Sequence, residues 1–202
     1  AILSHELLLY DTQAPALVGL RKQFISSARL DNLLSCFVAL HALIESTDET
    51  ASVLVCNDHE EVGSVSAAGA EGPFLKSVLQ RMLESDNKTD GGSAASFDRA
   101  IQNSVLLSVD NAHGVHPNFS DKHDSAHSPK LNAGPVIKIN ANQHYASNSD
   151  SIALLKSICN RLNISHQLFV VRSDMGCGST IGPITSALLG ISTVDIGIAS
   201  FA

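Results

Sequence analysis

Residues 135 to 171 hold the run Pro135-Val136-Ile137-Lys138-Ile139, then Ser151-Ile152-Ala153-Leu154-Leu155-Lys156-Ser157-Ile158-Cys159-Asn160-Arg161-Leu162, then Gln167-Leu168-Phe169-Val170-Val171. The two outer runs are short, apolar and partly β-branched, which suits buried strands. The middle run repeats Ile152, Leu155 and Ile158 on one face at helical spacing, with Ser149 or Asp150 available to cap it. Strand, helix, strand in that order is the unit that builds a parallel sheet.

The same alternation continues outward. Upstream, a helix reads from about Asn32 to Glu45 with Leu33, Phe37, Leu40 and Ile44 in register, and Ser52-Val53-Leu54-Val55-Cys56 reads as a buried strand. A second helix follows Pro73 through Phe74, Val78 and Met82. The polar, Gly-rich stretch from Asp86 to Ser96 reads as a loop, and Val105 to Val109 as a strand ending at Asp110. Downstream, a turn with Gly176, Gly178 and Gly182 leads into a helix near Ile184 to Leu189 and a strand over Thr193-Val194-Asp195-Ile196. The expectation is an α/β fold, a largely parallel sheet sandwiched by helices.

Composition narrows the function. The 202 residues carry a net charge of −7, with 44% hydrophobic and 16% charged residues. That is too apolar and too weakly charged for disorder. An acidic chain with 4% aromatics and no Trp lacks both the clustered cations and the stacking rings of a nucleic-acid binder. Runs such as Leu7-Leu8-Leu9 are too short to cross a membrane, and no basic segment precedes them as in a signal peptide. Cys36, Cys56, Cys159 and Cys177 form no CxxC pair, so reduced thiols in a cytoplasmic protein are the simpler reading. The chain starts at Ala1 in mid-pattern and is expected to be a piece of something longer.

The acids are the chemistry-bearing feature. Asp31 precedes a helix, Glu60-Glu61 follow the run ending at Cys56, and Asp110 closes the strand before it. Ligands in open α/β sheets bind beyond the carboxyl ends of the strands. Like charges gathered there need a cation, and oxygen donors suit a divalent metal. Adjacent glutamates in extended chain would point to opposite sides, one toward metal and one toward water. The plainer reading makes these loop acids solvated or helix-capping, with Asp31 a plausible N-cap. His113, His116, His123 and His127 could hold metal, though surface loop histidines are the simpler reading. Lys138 interrupts an apolar strand, so it is either buried against an anion or, more simply, an edge-strand lysine facing water.

Six blocks resemble the M18 aspartyl aminopeptidases in family order. They are Ser27-Ala28-Arg29-Leu30-Asp31-Asn32-Leu33, Asp58-His59-Glu60-Glu61-Val62-Gly63-Ser64, the stretch Asp110 to Asn118, Gly134 to Asn140, Gln143-His144-Tyr145-Ala146, and Arg172 to Pro183. The wording resembles the bacterial branch most. The resemblance implies a zinc-exopeptidase (phosphorylase/hydrolase-like) fold and a cytoplasmic aminopeptidase that removes N-terminal Asp or Glu from peptides with two zinc ions. Asp31 would bridge the metals, Glu61 and Asp110 would each ligate one, and Glu60 would be the general base. His113, Lys138 and Tyr145 would hold the substrate, and Gly176 to Gly182 would line the pocket wall. His144 stands where the family commonly has Arg. The family also implies a dodecamer-type homo-oligomer, with no nucleic acid and no membrane as partners.

Two further metal-binding His and an inserted second domain of that family have no counterpart in these residues. Residues 1–202 are therefore expected to be the C-terminal part of a catalytic domain, and not a working enzyme by themselves. The rival expectations are a related dinuclear zinc peptidase or deacylase without acidic preference, and a non-catalytic metal-binding or assembly module.

Overall fold

The computed structural model describes residues 2–47, 50–86 and 94–201. A hairpin of β1 (Ala16–Val18) and β2 (Phe24–Ser26) leads into α1 (Leu30–Glu45). After an irregular stretch come α2 (Phe74–Asp86), α3 (Ala94–Gln102) and β3 (Val105–His113). β4 (Val136–Lys138), α4 (Ser149–Arg161), β5 (Gln167–Phe169), α5 (Ile181–Leu189) and β6 (Ser192–Ser200) complete the order.

Among the described residues, the main sheet has the order β3-β6-β4-β5. β3 and β6 run parallel, in register from Val105 opposite Ser192 to His113 opposite Ser200. β4 runs parallel to β5 and antiparallel to β6. The expected α/β sandwich is the observed one. On β4, side-chain alternation sends Ile137 to one face and Val136 with Lys138 to the other. Ile137 meets Leu155 and Cys159 of α4 and Val194 of β6 in one core cluster. Val136 meets Ala112, Tyr145 and Phe169 in the second, on the opposite face. The helical repeat read from Ile152 and Leu155 is thus the stripe that covers the sheet.

Several local expectations need correction. The run 52–56 forms no strand, and Val53 is 50% exposed: apolar, β-branched composition favours extended chain, but a strand also needs a free edge to pair with. The strand from Val105 does not stop at Asp110 but continues to His113, because β6 supplies a parallel partner along its whole length. Helix α3 lies partly within the segment expected as a loop; the Asp90-Gly91-Gly92-Ser93 part of that expectation falls outside the described residues. Phe97 and Ile101, four apart and both buried, were the available signal for α3. The apolar face of α1 is not core here: Leu33 and Phe37 are each 60% exposed, while the small Ser35 is the buried side. No helix among the described residues is long and apolar enough to cross a membrane.

The cap of α4 is Asn148 rather than Ser149 or Asp150. Asn148 Oδ1 accepts from the Asp150 and Ser151 amides at 3.1 and 3.0 Å, and Ser151 Oγ accepts from the Asn148 amide at 3.0 Å. This reciprocal capping box satisfies donors that the first helical turn leaves unpaired. Asn148→Ala is expected to lower stability by about 1 kcal/mol, with Ser149→Ala within about 0.5 kcal/mol of wild type. Urea unfolding midpoints at constant slope check this, and equal effects of the two substitutions would contradict it.

Candidate active site

The site is built where α1 meets β3. Asp31 has φ −86° and ψ 109°, and Asn32 is also non-helical, so the regular part of α1 starts only after them. Asp31 is therefore not the N-cap; Arg29 occupies that position and makes no side-chain cap bond. Asn32 Nδ2 donates to the Val109 carbonyl at 2.9 Å, and the buried Ser35 hydroxyl donates to Asn111 Oδ1 at 3.5 Å. These two ties hold the start of α1 along β3 and set Asp31 beside Asp110, close enough for their carboxyls to hydrogen-bond. Behind Asp110, a Cβ on Gly197 would lie 2.5 Å from the Asp110 carbonyl oxygen, so glycine is what lets β6 run this close.

A cleft of about 80 Å³ opens here, lined by Asp31, Asp110, His113, Lys138 and Tyr145 together with Gly178 and Ser179. Five residues picked out in the sequence thus converge, and the glycine-rich loop forms part of the wall as expected. Lys138 overturns the edge-strand reading. β4 is an interior strand, Lys138 is 4% exposed, and its Nζ donates to Asp110 Oδ2 at 2.8 Å. Its ammonium also lies 5.6 Å from the centre of the Tyr145 ring. Cys177 packs against the core cluster that contains Tyr145, which brings the glycine-rich loop against the 145 segment.

Glu60 and Glu61 do not line this cleft. They lie in a 3-10 turn, Glu60–Val62, between His59 at φ 58° and Gly63 at φ 103°. The expected strand-like opposition of the two carboxylates is replaced by the turn, closed by Gly63 N–H donating to the Glu60 carbonyl at 2.9 Å. The charge of Glu61 still acts on Asp31, and that of Asp110 on Glu60. The other histidines disperse: His123 Nε2 bonds the His113 carbonyl at 3.1 Å, and His127 Nδ1 bonds Asp124 at 2.6 Å. His144 is exposed and does not line the cleft. Residues not singled out in the sequence but present in the wall are Asn111, Ala112, Phe169 and Ser200. Asn111 and Ala112 could have been found by carrying the strand past Asp110.

Electrostatics set the protonation of the site. Partial loss of hydration pushes Asp31 up to about 7, reinforced by its hydrogen bond to Asp110 and by the charges of Asp110 and Glu61, against a smaller opposing pull from Lys138. Glu60 is raised in the same way, by desolvation first and then by Asp110 and Glu61. His113 is lowered by desolvation and by Lys138, which favours the neutral ring. Burial raises the Tyr145 phenol, which stays a hydrogen-bond donor.

The donors present fit a divalent cation. The raised proton affinity of Asp31 marks a repulsion that a cation would relieve, and hard oxygen ligands suit such an ion. Among the described residues, no three His, Cys, Asp or Glu side chains gather closely enough to enclose a metal, so Asp31 and Asp110 do not make a complete metal site by themselves.

A consequence for pH follows from Asp31. An acid raised from 3.8 to about 7 binds more protons folded than unfolded across that window. Its contribution to stability therefore falls as pH rises from about 4 through about 7. In chelator, wild-type protein is expected to lose stability over this range more steeply than Asp31→Asn. Urea unfolding at a series of pH values checks this, and parallel pH profiles for the two proteins would contradict it.

Comparison with known proteins gives the family. Residues 1–202 match the family described as aminopeptidase I zinc metalloprotease (M18). A probable M18 family aminopeptidase 2 of Ectopseudomonas mendocina (strain ymp) is 60% identical over 203 residues, covering 100% of this chain and 45% of that protein. A chain in the cryo-EM structure of the Ape4 and Nbr1 complex is 42% identical with a TM-score of 0.84, covering 93% of this chain and 36% of that one. The S. cerevisiae mApe1 dodecamer is 30% identical with a TM-score of 0.81, over 96% of this chain and 43% of that one. The chain thus spans less than half the length of the proteins it matches. With the family match running from the first residue to the last and the acid pair, lysine and tyrosine of its blocks meeting in one cleft, this chain belongs to the M18 family of aminopeptidases.

Proposed function

We propose that residues 1–202 form the C-terminal part of a metallopeptidase catalytic domain, and that the full-length protein removes N-terminal Asp or Glu from peptides. The observation that carries the acidic preference is Lys138, an ammonium 4% exposed that lines the same cleft as Asp31 and Asp110. A cation buried at that depth is suited to an anionic side chain. The protein acts in the cytoplasm, as a homo-oligomer of the dodecamer type named for its yeast relative.

Two zinc ions, when bound, supply positive charge that acidifies water and polarises the peptide carbonyl. Asp31 and Asp110 would hold them from the cleft, and Glu61 from the turn of residues 60–62. Glu60 takes a proton from the attacking water and gives it to the departing amine; its raised proton affinity suits a base working near neutral pH. Tyr145 donates from its phenol, and His113 offers a neutral ring. With Asp110 holding an ion, the Lys138 ammonium would be left to meet the substrate's acidic side chain.

A second reading is favoured by one distance. Lys138 Nζ lies 2.8 Å from Asp110, so its charge already has a partner. If that pair persists in the loaded site, the enzyme is a zinc peptidase without acidic preference. Full-length Lys138→Met separates the two: the ratio of kcat/KM for Asp over Leu substrates is expected to fall at least about tenfold. An unchanged ratio makes Lys138 a structural cation. Glu60→Gln is expected to lower kcat by about 10²–10⁴-fold while bound metal stays at the wild-type level. Near-normal turnover would remove Glu60 from the base role.

A further inference from the structure

A carboxylate that takes no direct part in the cleft lies behind it. Asp195 of β6 is 0% exposed, and among the described residues no Lys, Arg or His forms an ion pair with it. Its charge is met by hydrogen bonds instead. Oδ2 accepts from the Ala146 amide at 2.5 Å, and Oδ1 accepts from the Thr180 hydroxyl at 2.6 Å. Its own amide donates to Ser147 Oγ at 2.9 Å. Thr180 is the N-cap of α5 yet makes no side-chain cap bond, because its hydroxyl is turned to Asp195. A Cβ on Gly182 would lie 2.3–2.4 Å from the carboxylate oxygens, so glycine is required for the positive end of α5 to close over the charge.

The two segments gripped this way are the two that most need it. The turn around residues 141–147 and the loop around 173–180 contain no helix or strand, so no backbone ladder holds them in place. Tyr145 precedes Ala146 in the first, and Gly178 and Ser179 precede Thr180 in the second; all three line the cleft. One carboxylate therefore joins both walls to the same strand of the sheet. A buried, cation-free carboxylate costs stability unless its hydrogen bonds are complete, so a small residue would be the cheaper choice here if packing alone mattered.

We propose that Asp195 is a positioning residue that fixes Tyr145 and the Gly178–Ser179 backbone at the distance the substrate requires, so that its loss is read as weakened substrate binding. This rests on the peptidase reading for its kinetic arm only. In the full-length protein, Asp195→Ala leaves the Ala146 amide and Thr180 hydroxyl without their acceptor. Hydrogen exchange is expected to speed up in residues 141–147 and 173–180 together, with KM rising about tenfold or more and kcat changing less. Asp195→Asn is expected to rescue most of this: its oxygen accepts from Ala146, and its amide donates to Thr180 Oγ1, which turns to accept. Because part of the effect of Asp195 runs through Tyr145, adding Asp195→Ala to Tyr145→Phe is expected to raise KM by less than it does alone.

Unchanged exchange in both segments overturns the proposal, as does a variant that is folded and active with wild-type KM or an additive double mutant. If Asp195→Ala does not fold, Thr180→Val decides: faster exchange at 173–180 alone with a raised KM supports the positioning role, and no change in either overturns it. The kinetics are run on whichever N-terminal residue the wild type releases fastest, so loss of the acidic preference leaves this inference standing. Exchange decides alone if the wild type cleaves none.

Discussion

An ammonium held inside a β-sheet is the constraint around which this structure is arranged. Lys138 sits on an interior strand with 4% exposure, and a cation at that depth is tolerable only against an anion with good geometry. Asp110 provides it at 2.8 Å from two strands away, across β6. That contact depends on β3 and β6 holding their nine-residue parallel register, and on glycine at 197 letting the strands approach at Asp110. The charge pair thus ties the sheet's geometry to the chemistry of the cleft.

From that pair the rest follows by competition for charge. Asn32 and Ser35 bind α1 to β3, which presses Asp31 onto Asp110 although both are acids. The proton affinity this raises at Asp31 reflects a repulsion that a divalent cation would relieve. With a cation bound, Asp110 would be shared between it and Lys138, and the balance between them would set whether the lysine is free. Asp195 resolves the opposite problem, a buried anion without a cation, through donors on two irregular segments and the end of α5.

Much of this was legible in the sequence because it rests on pattern. Apolar runs at 136–139 and 167–171 separated by a helical repeat specify β4, α4 and β5, and Lys138 announces itself by breaking such a run. What was not legible depends on partners distant in the chain. The run 52–56 has strand composition but no edge to pair with, whereas Asp110 continues as strand because β6 is there to receive it. Glu60 and Glu61 are adjacent in any conformation, and only the His59 and Gly63 backbone turns show that they do not alternate. Asn148 and Ser149 are both capable caps, and a single residue of extended backbone chooses between them. Asp195 reads like any polar residue in a strand until its neighbours are known.

The central claim is that Asp31 and Asp110 form one face of a cation site and that Lys138 is the group a cation displaces. Diffraction from zinc-loaded crystals of the full-length protein, collected at the zinc absorption edge, tests it most directly. The account predicts an anomalous peak in contact with both carboxylates, with Lys138 Nζ moved away from Asp110 toward the open cleft. Zinc bound elsewhere, with the Lys138–Asp110 pair intact at its present distance, would contradict it.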